Sequence, residues 1–336
     1  MLTEKVMLLN RRRFVSDMGA ASLFSLGLAP GGFPPAQAAA AFPAKDINFI
    51  IPAAPGGGFD GYVRAVIPAM EARFNGAVRV IPQNVDGAGG AKAADQVYRA
   101  RADGYTVSIL NVPGILILQQ QGGTLGFDLE RLSWICTMGS DPYALIVPQD
   151  SPIKSIADLQ ALSRSRAVKF PCPGRASTAY SATRIASSLL GIKEQIIAGY
   201  KGTNDYIVAA LRGDGDAAIA SVTALTQFRA SRLVRVLASF ESRSSMAGVA
   251  DATTLKLPEL TQIVQLRPVA APPGLSAELV DALARSIMGA MKDPKVVAWA
   301  AAAGANLDDK GPQQTLLAIR QQKQFMERWK TLLMPV

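Results

Sequence analysis

Residues 47–60 read INFIIPAAPGGGFD: a short apolar run typical of a buried strand ends at Pro52 and is followed by three glycines and the acidic Asp60. A strand that leads into a glycine loop at the start of a helix forms an anion-binding site, because the helix dipole and the unpaired backbone N–H groups point at the ligand. Glycine also lets the ligand come close to the backbone. A nucleotide pyrophosphate and a small carboxylate would both fit such a loop, and they imply different classes of protein.

Strand and helix patterns alternate outward from this stretch. Helical spacing of apolar residues follows the loop, and β-branched runs recur at residues 78–81 and 105–110. The alternation resumes after residue 140 and continues to about residue 240, whereas the chain beyond Ser276 is mostly helical. Strands that alternate with helices indicate parallel α/β sheets. The two blocks, joined by strands near residues 140 and 240, predict two lobes with a cleft between them.

The composition excludes several classes of site. The 336 residues include no histidine and only two cysteines, which rules out histidine-based triads and weighs against zinc, haem or iron–sulfur ligation. We therefore expect no cofactor and no metal. Cys136 and Cys172 have no diagnostic spacing, so the sequence leaves open whether they pair in a disulfide.

The first residues have the features of an export signal. Asn10, Arg11, Arg12, Arg13, Phe14 and Val15 resemble a twin-arginine motif. A mildly apolar stretch at residues 18–28 and the A-x-A sequence that ends at Ala38 follow it. A basic N-terminal arm is the alternative. We predict that residues 1–38 are a twin-arginine signal peptide cleaved near Ala38, and that the mature protein is periplasmic.

The charge of the chain does not indicate a nucleic-acid partner. Residues 1–38 contain four basic and two acidic residues, so their removal lowers the formal charge from +9 to +7. The remaining Lys and Arg residues are scattered and form no dense basic stripe with interleaved aromatic residues. We interpret the charge as mild steering of anionic ligands.

The first glycine loop also satisfies a dinucleotide-binding pattern. Gly56, Gly58 and Gly61 form G-x-G-x-x-G after a strand and before a helix. That pattern requires an acidic residue at the end of the second strand to hold a ribose hydroxyl. Here the second strand ends at Asn84, and the first carboxylate is Asp86. An exported NAD(P)-dependent oxidoreductase that uses this loop is therefore the alternative function.

A second strand–glycine-loop–helix junction follows one βα unit later, where residues 84–90 read NVDGAGG. An isolated glycine loop is usually no more than a tight turn. Two neighbouring loops, however, place two sets of backbone donors at the carboxyl edge of one sheet, where open α/β sheets bind ligands. The pair therefore favours a binding site over a structural turn.

With these motifs the sequence resembles the solute-binding proteins of tripartite tricarboxylate transporters, the Bug family. The resemblance extends from about residue 43 to the C-terminus. The matching stretches are PAAPGGGFD at 52–60 with Arg64, NVDGAGG at 84–90, ADGYT at 102–106, GYKG at 199–202, LRGDGD at 211–216 and LPEL at 257–260.

The resemblance implies an α/β, type II-like, two-lobed periplasmic binding protein, in which each lobe is a sheet flanked by helices and the cleft lies between them. Lobe 1 would comprise residues 42–140 and 241–336, and lobe 2 residues 141–240. Such a protein is not an enzyme. It captures a small carboxylate and is recognised by the membrane permease subunits of a tripartite tricarboxylate transporter or by a sensor domain. We expect it to be a monomer.

The resemblance also implies a ligand site made mostly of main-chain donors. From lobe 1 it would take the two glycine loops, and from lobe 2 the start of a helix and the ends of two strands. The residues are Pro55, Gly56, Gly57, Gly58, Phe59 and Asp60; Asn84, Gly87, Ala88 and Gly89; and Ser177, Thr178, Tyr200 and Ser221.

Several of these residues have an ordinary structural explanation as well. Ser177 and Thr178 suit an anion at a helix start, but the same residues also form plain helix caps. Tyr200 would be equally unremarkable in a core. Asp60 is expected to act as a cap or a loop-organising acceptor, because its carboxylate would repel a carboxylate ligand.

The chain also departs from the family pattern around the expected pocket. The residues concerned are Phe59, Cys172, Arg175 and Tyr180, which we expect to reshape it. Arg175 could pair with a second ligand carboxylate, although a solvated arginine is the simpler interpretation.

Overall fold

The computed structural model describes residues 42–334 except residues 77, 121–124 and 176. The predicted signal peptide, residues 1–38, lies outside these residues. The strands are β1 (Ile47–Ile51), β2 (Val80–Asn84), β3 (Thr106–Ile109), β4 (Ser133–Pro148), β5 (Val168–Cys172), β6 (Glu194–Ala198), β7 (Ala218–Ser221), β8 (Val234–Ser239), β9 (Val264–Ala271) and β10 (Leu307–Lys310). The helices are α1 (Gly58–Arg73), α2 (Ala91–Tyr98), α3 (Val112–Gln120), α4 (Ile156–Ser165), α5 (Thr178–Leu189), α6 (Thr203–Leu211), α7 (Val222–Ala230), α8 (Ala277–Met291), α9 (Pro294–Ala303), α10 (Pro312–Arg328) and α11 (Lys330–Leu333).

The first sheet has the strand order β10–β4–β9–β3–β1–β2. Strand β1 pairs in parallel with β2 on one side and β3 on the other. Strand β9 runs antiparallel to both β3 and β4. Because β1, β2 and β3 are parallel, the loops that follow them lie at one edge of the sheet, which is where ligands bind in open α/β sheets.

Strand β4 is shared with a second sheet. Its first part pairs with β9 as far as Pro142, which lies opposite Val264. From Tyr143 onward it pairs with β7, where Tyr143 lies opposite Ser221, and with β8. The change of partner lies close to the predicted lobe boundary at residues 140 and 141. The boundaries themselves stay a prediction.

Strands β5 and β6 extend this second part of the molecule. They form a parallel pair. The Lys169 carbonyl of β5 accepts hydrogen bonds from the amides of Asp216 and Ala217, just before β7. Residues 240–263 then carry the chain back from β8 to β9. The second part is thus inserted between the first part of β4 and β9, two neighbouring strands of the first sheet.

Apolar side chains cover both faces of the first sheet. On one face Phe49 of β1 belongs to a core cluster with Val66 of α1 and Ile287 of α8. On the other face Ile50 belongs to a second cluster with Ile115 of α3, and this cluster continues into the second part of the molecule. The alternation of Phe49 and Ile50 between clusters follows from the two-residue period of a strand.

The two cysteines are separate in the fold. Cys136 of β4 and Cys172 of β5 are free and buried. Burial raises the pKa of both thiols, in the case of Cys172 to about 11. The disulfide that the sequence left open is therefore not formed.

No helix in the described ranges is both long and apolar enough to cross a membrane.

Candidate functional site

A cavity of about 450 Å³ opens where β1, β2 and β3 end and where α5 and α6 begin. Its wall combines loops of the first sheet with elements of the second part of the molecule. The lining residues are Pro52, Asp86, Gly89, Gly90, Asn111 and Gln265 from the first, and Tyr143, Pro173, Gly174, Arg175, Ser177, Thr178, Ala179, Lys201, Thr203 and Tyr206 from the second.

Within the described residues, four helices begin at the wall of this cavity. Gly90 precedes α2, Asn111 precedes α3, Ser177 precedes α5, and Thr203 is the first residue of α6. A helix start carries a partial positive charge of about half an elementary charge. It also carries unpaired N–H groups, although at α2 the Ala91 amide already donates to the Ala88 carbonyl. The wall is therefore electropositive before any side-chain charge is counted.

Charged side chains add to this pattern. The second part of the molecule contributes Arg175 and Lys201, and the first sheet contributes Asp86. All three residues are exposed. The formal charge of the described lining residues is thus +1, which suits a small anion.

Ser177 caps α5 and also lines the cavity. Its Oγ accepts a hydrogen bond from the Tyr180 amide at 3.1 Å and donates to the Gly174 carbonyl at 2.6 Å. The expectation that Ser177 acts as a helix cap is confirmed. Since the cap fixes the first turn of α5, it also sets the direction in which the free amides of that turn point.

Asn111 is a site residue that the sequence reasoning missed. Its Oδ1 accepts a hydrogen bond from Thr178 Oγ1 at 3.3 Å, and its Nδ2 donates to the Gly89 carbonyl at 3.3 Å. A Cβ on Gly114 would lie 2.7 Å from that carbonyl, so glycine allows this close packing. Asn111 thereby joins the second glycine loop to the start of α5.

A signal for Asn111 was present in the sequence. It follows the buried strand β3 and precedes a helix, as the two glycine loops follow β1 and β2. Tyr143 and Tyr206 were missed for a different reason, because buried aromatic residues in a strand or helix are typical of a core. The Tyr206 hydroxyl donates a hydrogen bond to the Ile219 carbonyl at 3.1 Å, and burial raises the pKa of Tyr206.

The first glycine loop binds a carboxylate of its own chain. Asp60 Oδ2 accepts a hydrogen bond from the Gly56 amide at 2.8 Å. Arg64 Nε lies 2.8 Å from both carboxylate oxygens, and Asn84 Nδ2 donates to Oδ1 at 2.9 Å. Burial raises the pKa of Asp60, but hydrogen bonds from Arg64, Gly56 and Asn84 outweigh it and hold the pKa below its ordinary value. The expected loop-organising role of Asp60 is confirmed by these contacts.

The predicted site residues fall into two groups. Gly89, Ser177 and Thr178 line the cavity. The others lie outside the lining set: Pro55, Gly56, Gly57, Gly58, Phe59, Asp60, Asn84, Gly87, Ala88, Tyr200 and Ser221. Their part in binding stays a prediction.

The positions of two of these outer residues are informative. Phe59 is 7% exposed and packs in the core, with the Arg267 guanidinium 5.0 Å from its ring centre. Tyr200 directs its hydroxyl to Asp214 at 3.4 Å, while its neighbour Lys201 lines the cavity. Neither aromatic ring therefore lines the cavity in this structure.

A buried ion pair lies in the first sheet, next to the point where β4 changes partner. Arg267 Nη2 of β9 lies 2.7 Å from Asp141 Oδ2 of β4, and the side chains are 4% and 0% exposed. Asp141 Oδ1 accepts a hydrogen bond from Thr223 Oγ1 of α7 at 2.7 Å and lies 3.4 Å from the Tyr62 hydroxyl of α1. Burial, and after it the Asp141 charge, raise the pKa of Tyr62. The pair thus lies within the first sheet, and the hydrogen bond from Thr223 links it to the second part of the molecule.

Comparison with known proteins places these features in context. Residues 64–334 match the family described as Tripartite tricarboxylate transporter family receptor. Protein BugT of Bordetella pertussis is 28% identical over 88% of this chain and 91% of its own.

Solved structures show the same fold. The periplasmic binding protein BugD superposes with a TM-score of 0.74 at 22% identity, over 87% of this chain and 98% of its own. MatC from Rhodopseudomonas palustris with bound malate superposes with a TM-score of 0.73 at 19% identity, over 87% of this chain and 100% of its own. The predicted α/β fold of a two-lobed periplasmic binding protein is confirmed.

Proposed function

The chain belongs to the tripartite tricarboxylate transporter receptor family, and from that premise we propose that it is a periplasmic solute-binding protein for a small carboxylate. The ligand is captured between lobe 1 (residues 42–140 and 241–336) and lobe 2 (residues 141–240). The closed form is then recognised by the permease subunits of a transporter or by a sensor domain. The predicted signal peptide would provide the export.

The observation that carries this proposal is the convergence of four helix starts on one cavity. A carboxylate placed there lies at the starts of α2, α3, α5 and α6, with Arg175 and Lys201 alongside. Closure of the lobes would exclude water and strengthen these interactions, because Coulomb interactions grow as the effective dielectric constant falls. The malate bound by MatC is a carboxylate of the class proposed here.

The proposed protein performs no chemical step. The alternative, a NAD(P)-dependent oxidoreductase built on Gly56, Gly58 and Gly61, requires the first glycine loop to hold a pyrophosphate. In this structure the Gly56 amide is already bonded to the Asp60 carboxylate, which would repel a phosphate. The first glycine loop therefore does not suit a nicotinamide nucleotide.

The test is a thermal shift measurement on the mature chain with a panel of small mono- and dicarboxylates. A ligand that binds only the native state stabilises it by about 2.7 kcal/mol at 100 times its Kd, so the matching acid raises the Tm. Asn111→Ala is expected to lower the affinity for that ligand about tenfold, since it removes both hydrogen bonds that join the second glycine loop to the start of α5. Asn48→Ala, on the exposed side of β1, is the matched control and leaves the affinity unchanged.

Two outcomes would contradict the proposal. One is a Tm that no carboxylate of the panel raises while a nicotinamide nucleotide does. The other is an equal loss of affinity in Asn111→Ala and Asn48→Ala, which would mean that the ligand does not bind in this cavity.

A further inference from the structure

The charges around the cavity are divided between its two sides. The charged side chains from the second part of the molecule are the cations Arg175 and Lys201. The charged side chain from the first sheet is the anion Asp86. A ligand in the cavity therefore has positive side chains on the wall formed by the second part of the molecule and a negative side chain on the wall formed by the first sheet.

Asp86 differs from the neighbouring acids in having no partner within the described part of the chain. Asp60 and Asp95 each form an ion pair with the arginine four residues later. The residue four positions after Asp86 is Gly90, which offers no side chain. Lys92 packs over Gly87, with Nζ 3.0 Å from where a Cβ would lie, but it forms no ion pair with Asp86 among the described contacts.

The backbone holds Asp86 at the mouth of the site. Gly87, Gly89 and Gly90 all have positive φ angles, of 124°, 61° and 100°, in the region that favours glycine. These angles fix the turn that carries Asp86 on one side and the lining residues Gly89 and Gly90 on the other. The neutral amide side chains of Asn111 and Gln265 line the same side of the cavity and offer further oxygen acceptors.

An exposed carboxylate at the wall of an anion site weakens the binding of a ligand that carries only negative charge. The same carboxylate strengthens the binding of a ligand whose second group is cationic, through a charge-assisted hydrogen bond. Building on the proposed function, we propose that the ligand is a small zwitterion: its carboxylate lies against the starts of α5 and α6 beside Arg175 and Lys201, and its protonated amine is held by Asp86.

Pairs of acids that differ only in an amine test this assignment. Isothermal titration of the mature chain compares β-alanine with propionate, 4-aminobutyrate with butyrate, and aspartate with succinate. In at least one pair the amine-bearing acid binds ten times more tightly or better. Asp86→Asn lowers the affinity for that acid about tenfold and leaves or raises the affinity for its amine-free partner.

Asp95→Asn is the matched control. It changes the net charge by the same amount and lies on α2, outside the cavity wall. We expect it to leave the preference for the amine unchanged. The Tm of both variants without ligand shows that each is folded.

The outcomes separate this inference from the proposed function. Tighter binding of the amine-free acids, a preference for the amine that survives Asp86→Asn, or equal losses in Asp86→Asn and Asp95→Asn would overturn the zwitterion while a carboxylate receptor still stands. Binding of neither kind of acid would overturn both.

Discussion

At the scale of single residues, Asp60 shows how one side chain changes what a glycine loop can bind. The loop has the glycines and the helix start of an anion site. The carboxylate that it holds, however, belongs to the same chain, and it is bonded to the Gly56 amide, to Arg64 and to Asn84. The loop is therefore stabilised from within, and the loops after β2 and β3 line the cavity.

Asp60 should make stability depend on acid pH. Its pKa in the folded protein lies below the ordinary value, so its contribution is fully present above about pH 4 and is lost as the pH falls through the folded pKa. Asp60→Asn is expected to lower the free energy of unfolding by about 1–3 kcal/mol at neutral pH, because it removes charged hydrogen bonds. Urea unfolding at pH 7, 4 and 3 measures the difference in the free energy of unfolding between the unmodified protein and Asp60→Asn, and this gap should narrow as the pH falls. A gap that stays constant would contradict this role.

The sequence identifies some site residues and not others, for reasons that lie in the contacts. Gly89, Ser177 and Thr178 belong to local motifs, and they do line the cavity. Asn111 gains its role from a contact with Thr178, 67 positions along the chain. Nothing local to either residue reveals that contact.

At the scale of elements, two helices with the same kind of start allow capping to be separated from binding. Both α4 and α5 begin at a serine whose hydroxyl accepts an amide hydrogen bond in the first turn, Ser155 and Ser177 respectively. The start of α5 faces the cavity, whereas Ser155 is absent from its lining.

Ser155→Ala and Ser177→Ala are each expected to lower the free energy of unfolding by about 1 kcal/mol, the usual value of a serine cap. Of the two variants, only Ser177→Ala should also lower the affinity for the carboxylate ligand, because the backbone amides in the first turn of α5 are then less well positioned. Urea unfolding and isothermal titration measure the two effects. Equal losses of affinity in both variants would mean that binding responds to stability alone.

The alternation of strands and helices could be predicted because it is a local pattern, and β1 and β3 lie close to their predicted positions. Strand β9 could not be recognised in the same way. Its sequence VQLRPVAA contains Arg267 and Pro268, which interrupt a buried-strand pattern. The arginine is tolerated because Asp141, far away in sequence, neutralises it in the core.

At the scale of the whole molecule, the Asp141–Arg267 pair lies where β4 passes from the first sheet to the second. Arg267→Met would leave Asp141 as an unpaired buried charge, and a loss of about 3–5 kcal/mol in the free energy of unfolding is expected. Asp141→Asn in the same chain should restore part of that loss, because it removes the charge. Arg79→Met is the matched control: the side chains of its ion pair with Asp46 are 74% and 39% exposed, and we expect a much smaller loss in the free energy of unfolding. Urea unfolding compares the three variants. Equal losses in the free energy of unfolding for Arg267→Met and Arg79→Met would contradict the special contribution of the buried ion pair.

The pairing of β3 with β9 has a consequence for the order in which the molecule is made. Ile109 of β3 lies opposite Val269 of β9. All the residues between them in the chain, including the whole second sheet, are synthesised after β3 and before β9. Until β9 leaves the ribosome, β3 presents an unpaired edge, which is a site for pairing with other chains. The inserted part can collapse early around its own contacts, while the first sheet closes last and slowly, because distant contacts pay the entropy of loop closure. A nascent chain of this protein therefore depends on protection of that edge until almost four-fifths of its length has been made.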